Sequence, residues 1–366
     1  MALSKKKCVR VLMRKKFTAP LWLLLVIGSV IVVVLCRLFF LLSHESEYQS
    51  LIVWDDPLAV RTDPRLQWWL DGRAVEREED ARARPYAVMI DQGIDSGVPA
   101  GLDKASVVVE ALVEGGVTRL MALFDPIASV EKIGPVRSVR PYFADWAQGF
   151  DAVLVHAGGS PTALKLISIT EIDELNEISG DGMYFFRDPY RSAPHNLFIA
   201  SSRLPWKKKE WRPVIDQDTI KPWDWARGTT DGIQGNPGSS ILVDFSRTSY
   251  TVEWKQKNSA QSYQRFRNGI PEVVESDKAI FADNIIVQYI QVGLEDELRL
   301  TMQTIGEGKT LICSAGECAD GIWKREKDNQ PTQFFIHSQK GDRLAPLLPG
   351  ATWIEVVPEG KRVTFQ

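Results

Sequence analysis

Histidine and cysteine are scarce in this chain, with four of each in 366 residues. His44, His156, His195 and His337 lie far apart, and none falls in an HExxH or similar spacing, so no metal centre is expected. No cofactor is expected either. The GxSxG surroundings of a hydrolase nucleophile are missing around Ser160, which reads as a helix cap. There is no internal repeat. Acidic residues are absent among the seven basic residues at the start, Lys5, Lys6, Lys7, Arg10, Arg14, Lys15 and Lys16. Net charge is −3 overall and those residues carry +7, so the rest of the chain stands at −10, which argues against a nucleic-acid partner.

One long apolar run is present, Pro20 to Leu42, interrupted strongly only by Arg37. About 20 apolar residues cross a bilayer as a helix. With basic residues before the run, the N-terminus is expected inside and everything after Leu42 outside. Residues 1–18 read as a cytoplasmic tail, 19–42 as an uncleaved signal anchor in a single-pass membrane protein, and 43–84 as a juxtamembrane linker. A cleaved signal has a shorter core and a small-residue cleavage site. Cys36 sits where a lipidated cysteine would, but Leu35, Val34 and Val33 before it are poor lipobox residues, so it reads as an apolar filler.

The remaining residues suffice for two domains, and 44% hydrophobic content describes a packed protein. Residues 85–230 read as an α/β (α+β) domain of layered sheets with helices. Strands are expected at Tyr86–Asp91, Val107–Glu114, Thr118–Asp125 and Ala152–His156, with a hairpin at Gly115-Gly116. Helices are expected at Pro141–Phe150, after Ser160-Pro161, and near Ser201–Trp211. A glycine-rich linker, Thr229 to Gly238, leads to a smaller β-rich domain over 239–366, in which Asp320-Gly321 reads as a turn. Cys313 and Cys318 flank a short loop there. The spacing suits a hairpin disulfide in an oxidising compartment, or half of a zinc site that lacks a second pair of ligands.

Fixed charge gathers beside turn residues in the first domain. Arg119, Arg137, Arg140, Arg187, His195 and Asn196 join the segment His156, Gly158, Gly159 and Ser160, where a helix starts after paired glycines. Guanidinium forks grip carboxylates and phosphates, and a helix start offers N–H groups to an anion. The competing reading pairs these arginines internally with Asp91, Glu110, Glu114 or Asp188. His156 or His195 is a candidate general acid–base with Glu110 or Glu114 as its partner.

The runs RPYAVMID, AGLDKASVVVEALVEGGVTRLMALFD, KIGPVRSVRPYFADWA, DAVLVHAGGSP and APHNLF resemble the YerB-like lipoproteins, a bacterial family of unknown function. The likeness spans about Arg84 to Gln366 and is densest between Pro85 and Ser202. Glu110, Glu114, Gly115, Gly116, Arg119, Gly134, Pro135, Arg137, Arg140, Pro141, His156, Gly158, Gly159, Ser160, Pro161, His195 and Asn196 match its hallmark positions. The resemblance implies an N-terminal α/β part, a smaller β-rich part and a place on the outer face of the bacterial cytoplasmic membrane. It assigns no catalytic role. The chain departs from the pattern at Gln92, in DSGVPAGL and in lacking a lipobox.

Three functions follow as expectations. The first is a membrane-anchored envelope module that binds a cell-wall or other anionic ligand. The second is an envelope hydrolase or transferase. The third is a scaffold for an envelope protein partner.

Overall fold

Apolar strands here are buried on both faces, which makes a layered structure. The computed structural model describes residues 66–366, except 205–213, 216–222, 227–230, 247, 258–260 and 339–340. The expected tail, membrane anchor and first part of the linker lie outside the described residues, as does most of the helix expected near Ser201–Trp211. Of that helix, a single 3-10 turn at Ser201–Arg203 is described. Among the described residues no helix is long and apolar enough to cross a membrane.

The first half supplies β1 (Tyr86–Asp91), β2 (Val107–Leu112), β3 (Thr118–Phe124), α1 (Pro141–Gly149), β4 (Val153–His156), α2 (Pro161–Thr170), β5 (Glu174–Asn176), β6 (Phe185–Arg187) and β7 (Leu197–Ile199). The second half adds β8 (Ser240–Asp244), β9 (Thr251–Gln256), β10 (Tyr263–Arg267), β11 (Asn284–Ile290), β12 (Gly306–Ser314), β13 (Glu317–Arg325), β14 (Gln333–Ile336), β15 (Thr352–Pro358) and β16 (Val363–Phe365). The fold is mixed α+β and rich in strands.

One large mixed sheet runs β14-β13-β12-β11-β15-β2-β3-β1-β4-β5. It crosses the expected division of the chain, because β15 lies in parallel between β2 and β11. A second sheet, with the path β10-β9-β8-β16, covers one face. Strand periodicity sorts the residues. Ala87, Met89, Val107, Val109, Met121 and Ile354 meet α1 and α2 through Phe143, Trp146 and Ile167. Val88, Ile90, Val108, Ala122 and Trp353 meet Ile241, Val252, Trp254 and Tyr263 of the second sheet. Each large side chain sealed in this way contributes about 1.5–3 kcal/mol.

Local signals explain the helices. Pro141 opens α1, whose Phe143 and Trp146 rings pack edge-on at 5.5 Å. Ser160 caps α2, its Oγ accepting from the Ala163 N–H at 3.2 Å.

Three expectations need correction. Residues 66–84, expected as the end of a juxtamembrane linker, pack into the fold: Trp68, Trp69 and Leu70 are buried, and both indole N–H groups donate to the Ala83 carbonyl. The glycine-rich stretch before β8 is a packed strap whose Asn236–Pro237 pairs with β13, and Gly235 lies so close to the Cys318 backbone that a Cβ would collide. Asp320-Gly321 sits inside β13, where Gly321 admits the Phe335 carbonyl of β14. The Cys313–Cys318 disulfide does form, between directly opposed residues of β12 and β13.

Candidate functional site

β1, β4 and β5 run parallel, and their C-terminal ends place Asp91, His156 and Asn176 along one rim of the large sheet. Rims of this kind collect functional groups in open α/β sheets. β3 enters the same rim in the opposite direction, with Arg119 opposite Asp91. The segment Gly134–Arg140 then crosses it. Arg137 N–H donates to Met89 O at 2.9 Å, Ala157 N–H to Arg137 O at 3.1 Å, and Val139 N–H to Gly158 O at 3.0 Å. These bonds fix where Arg137 and Arg140 emerge.

Arg119, Arg137 and Arg140 therefore meet, but not around a free helix start. Arg140 grips Glu114 with both Nε and Nη2, at 2.5 and 2.8 Å. Arg137 Nε lies 3.1 Å from Asp91 Oδ2, yet its N–H is not aimed at an acceptor. Arg119 donates from Nη1 to Ser138 O at 2.7 Å, while its buried Nε has no acceptor and no ion pair forms among the described residues. Burial pushes the Arg119 guanidinium down to about 10, helped by Arg140 and Arg137 and opposed by Asp91. It stays cationic at neutral pH. Burial alone would raise the Glu114 carboxyl, but the Arg140 hydrogen bonds, a backbone N–H and the nearby guanidinium charges hold it below its ordinary value.

The two histidines separate. His195 Nδ1 donates to Asp91 Oδ2 at 2.7 Å, and its ring is partly exposed. His156 is fully buried, with Nδ1 donating to Gly158 O at 2.8 Å and Nε2 2.6 Å from Glu174 Oε2. Sealed there, His156 locks the glycine turn and cannot meet a substrate proton. Gly158 has φ +67 and Gly159 lies against Val139, so both serve backbone packing. The α2 start is closed by its own Ser160. These positions correct the expectation of an anion cradle at the helix.

Arg187 and Asn196 form a separate group, with Arg187 bonded to Asn196 Oδ1 at 2.9 Å and to Glu177 at 2.8 Å. Glu110 also leaves the site, being ion-paired with Arg265 in the core between the sheets. Of the candidate acid–base partners, neither Glu110 nor Glu114 reaches a histidine; Asp91 and Glu174 do. The sequence reading treated Asp91 only as an internal counter-ion, and it missed Glu174, Ser138 and Asn176. Asn176 Oδ1 accepts from Gly158 N–H at 3.0 Å. Strand-end position was the signal that could have marked Asp91 and Asn176.

Beside His195 lies a surface hollow of about 440 Å³, lined among others by Asp95, Arg191, Ser192, Glu275 and Asp277. Arg191 is held there by Ser96 O, Val98 O and Glu275. Among the described residues no group of three or more His, Cys, Asp or Glu side chains could hold a metal ion.

Comparison with known proteins bears on this rim. Residues 70–211 match the N-terminal domain, and 241–354 the C-terminal domain, of a protein family of unknown function, DUF3048. A Bacillus subtilis (strain 168) protein named "Putative lipoprotein YerB" is 31% identical over 337 residues, covering 89% of this chain and 94% of the relative. The chain belongs to this family. The crystal structure of the Bacillus subtilis YerB protein superimposes with a TM-score of 0.70 at 27% identity, over 82% of this chain and all of that one. Asp91, Arg119, Arg137, Arg140 and His195 all fall inside the N-terminal DUF3048 match.

Proposed function

We propose that this DUF3048 protein is a membrane-tethered, extracytoplasmic binding module whose rim takes an anionic group between Arg119, Arg137 and His195. The supporting observation is a local excess of cation. Three guanidinium groups and an imidazole share two carboxylates, Asp91 and Glu114, and two buried guanidinium N–H groups lack acceptors. An incoming carboxylate or phosphate would accept from the partly exposed Arg137 and His195 side chains, with the buried Arg119 adding charge behind them. The adjoining hollow, with Asp95, Glu275 and Asp277, suits hydroxyl or ammonium groups of the same ligand, as a wall-polymer fragment carries. Calorimetric titration of the protein with inorganic phosphate and with soluble wall fragments tests this. Binding heat that falls at least tenfold in Arg137→Ala is expected. Heat unchanged by that substitution, or absent throughout, overturns it.

The tether would be the apolar run from Pro20 to Leu42 or, as the name of the Bacillus relative suggests, a lipid on Cys36. The mass of the mature chain discriminates between anchors. An intact N-terminus fits a membrane helix, and a chain starting at an acylated Cys36 fits a lipid.

A second reading, an envelope hydrolase or transferase, draws on the Asp91–His195 bond. It leaves Nε2 beside the hollow with no partner among the described residues, as a general base requires. Turnover of wall fragments that vanishes in His195→Gln would support it, and fragments left intact by the wild-type protein would remove it.

A further inference from the structure

Two apolar strands each carry one acid: Glu110 within VVVEAL of β2 and Glu355 within TWIEVVP of β15. The strands are parallel neighbours, and Glu110 stands directly opposite Glu355. Both side chains point from the large sheet toward the second sheet, where they meet Arg265 of β10. All three residues are sealed from solvent. Arg265 Nη1 donates to Glu355 Oε1 at 3.0 Å, Nη2 donates to Glu110, and Nε donates to Glu272 at 2.7 Å. Trp254 of β9 adds its indole N–H to Glu355 Oε1 at 2.7 Å, and the Arg265 guanidinium lies 4.3 Å over the Trp353 ring.

Counting charge shows what is missing. Glu110, Glu272 and Glu355 face Arg265 and Arg267, so one negative charge is left over in a dry core. Glu355 Oε2 receives no hydrogen from any other described group. A lone charge sealed in this way costs several kcal/mol unless it is neutralised. We infer that Glu110 and Glu355 share one proton, and that this proton fastens the second sheet to the large sheet and makes their docking pH-responsive.

Burial, then the neighbouring Glu110 charge, drives the Glu355 carboxyl up to about 8, against the pull of Arg265 and Trp254. Burial acts on Glu272 too, but Arg265 and Arg267 overcome it and hold that carboxyl down at about 2. The acids thus divide the work. Glu272 stays ionised, and the Glu110–Glu355 pair holds the proton. Between the ordinary glutamate value of 4.5 and about 8 the folded protein binds a proton that the unfolded chain releases, so stability falls as pH rises through this window. The network also reaches the rim, because Arg267 Nη1 donates to the carbonyl of Gln92, the residue after Asp91.

The test uses the full chain in detergent micelles. Infrared spectroscopy at neutral pH should show the carbonyl stretch of a buried carboxylic acid that disappears in Glu355→Gln, and in Glu110→Gln if the first variant does not fold. Urea unfolding should give a midpoint that declines from about pH 5 to about pH 9 in the wild type and declines clearly less in the glutamine variant. Absence of the band, its persistence in both variants, or an equal decline in wild type and variant would overturn the inference.

Discussion

Asp91 and His195 stand 104 residues apart in the chain and are joined by a 2.7 Å hydrogen bond. The same carboxylate oxygen lies 3.1 Å from Arg137 Nε, and the other oxygen accepts the Gly93 N–H at 3.0 Å. One nearly buried acid at a strand end thus positions an imidazole and a guanidinium from two separate loops.

Replacing that acid should be felt in folding. Asp91→Asn removes the charge that both partners share and should lower the unfolding free energy by about 1.5–3 kcal/mol. His195→Gln, at a partly exposed ring, should cost less. Urea unfolding at neutral pH compares the two, and equal losses would show that Asp91 does not organise the rim.

Arg119 has the opposite character. It is buried, lacks an ion pair among the described residues, and feels Arg140 and Arg137 against the opposite charge of Asp91. Arg119→Met should leave the unfolding free energy unchanged or raise it by up to about 1 kcal/mol, because an apolar isostere replaces an uncompensated cation. The same variant should lose phosphate binding. A large loss of stability would assign Arg119 to structure instead of ligand recognition.

Glu114 predicts an acid response. Its carboxyl is held below the ordinary 4.5 in the fold, so its contribution is present above that value and is lost as pH falls through the lower folded one. Acid titration followed by tryptophan fluorescence should show a shallower loss of stability in Glu114→Gln than in the wild type. Superimposable titrations would mean that the Arg140 pair contributes nothing.

The disulfide closes a loop of only four intervening residues. Cys313→Ala combined with Cys318→Ala should therefore cost only about 2 kcal/mol by the loop-entropy relation. Thermal unfolding measures it, and a protein that fails to fold without the bridge would show that the strap at Gly235–Gly238 depends on it.

Local pattern was enough for much of the fold. Alternating and continuous apolar runs marked β1 to β4 and most strands of the second half, Pro141 and Ser160-Pro161 marked α1 and α2, and Gly115-Gly116 marked the hairpin. These signals are legible because turn, cap and strand preferences act over a few residues. Asp320-Gly321 misled for the same reason. That dipeptide suits a turn, but β14 needs a residue without a side chain at that point of β13.

The residues themselves determined that arginines and histidines would crowd the turns of the first half, and that internal acids were available to neutralise them. Only the tertiary structure decided the partners: Glu114 for Arg140, Asp91 for Arg137 and His195, Glu174 for His156, and Glu110 for Arg265. Strand order did this, by inserting β15 beside β2 and laying β10 across both, so that charges far apart in the chain came within hydrogen-bond reach in a medium where none can remain unpaired cheaply.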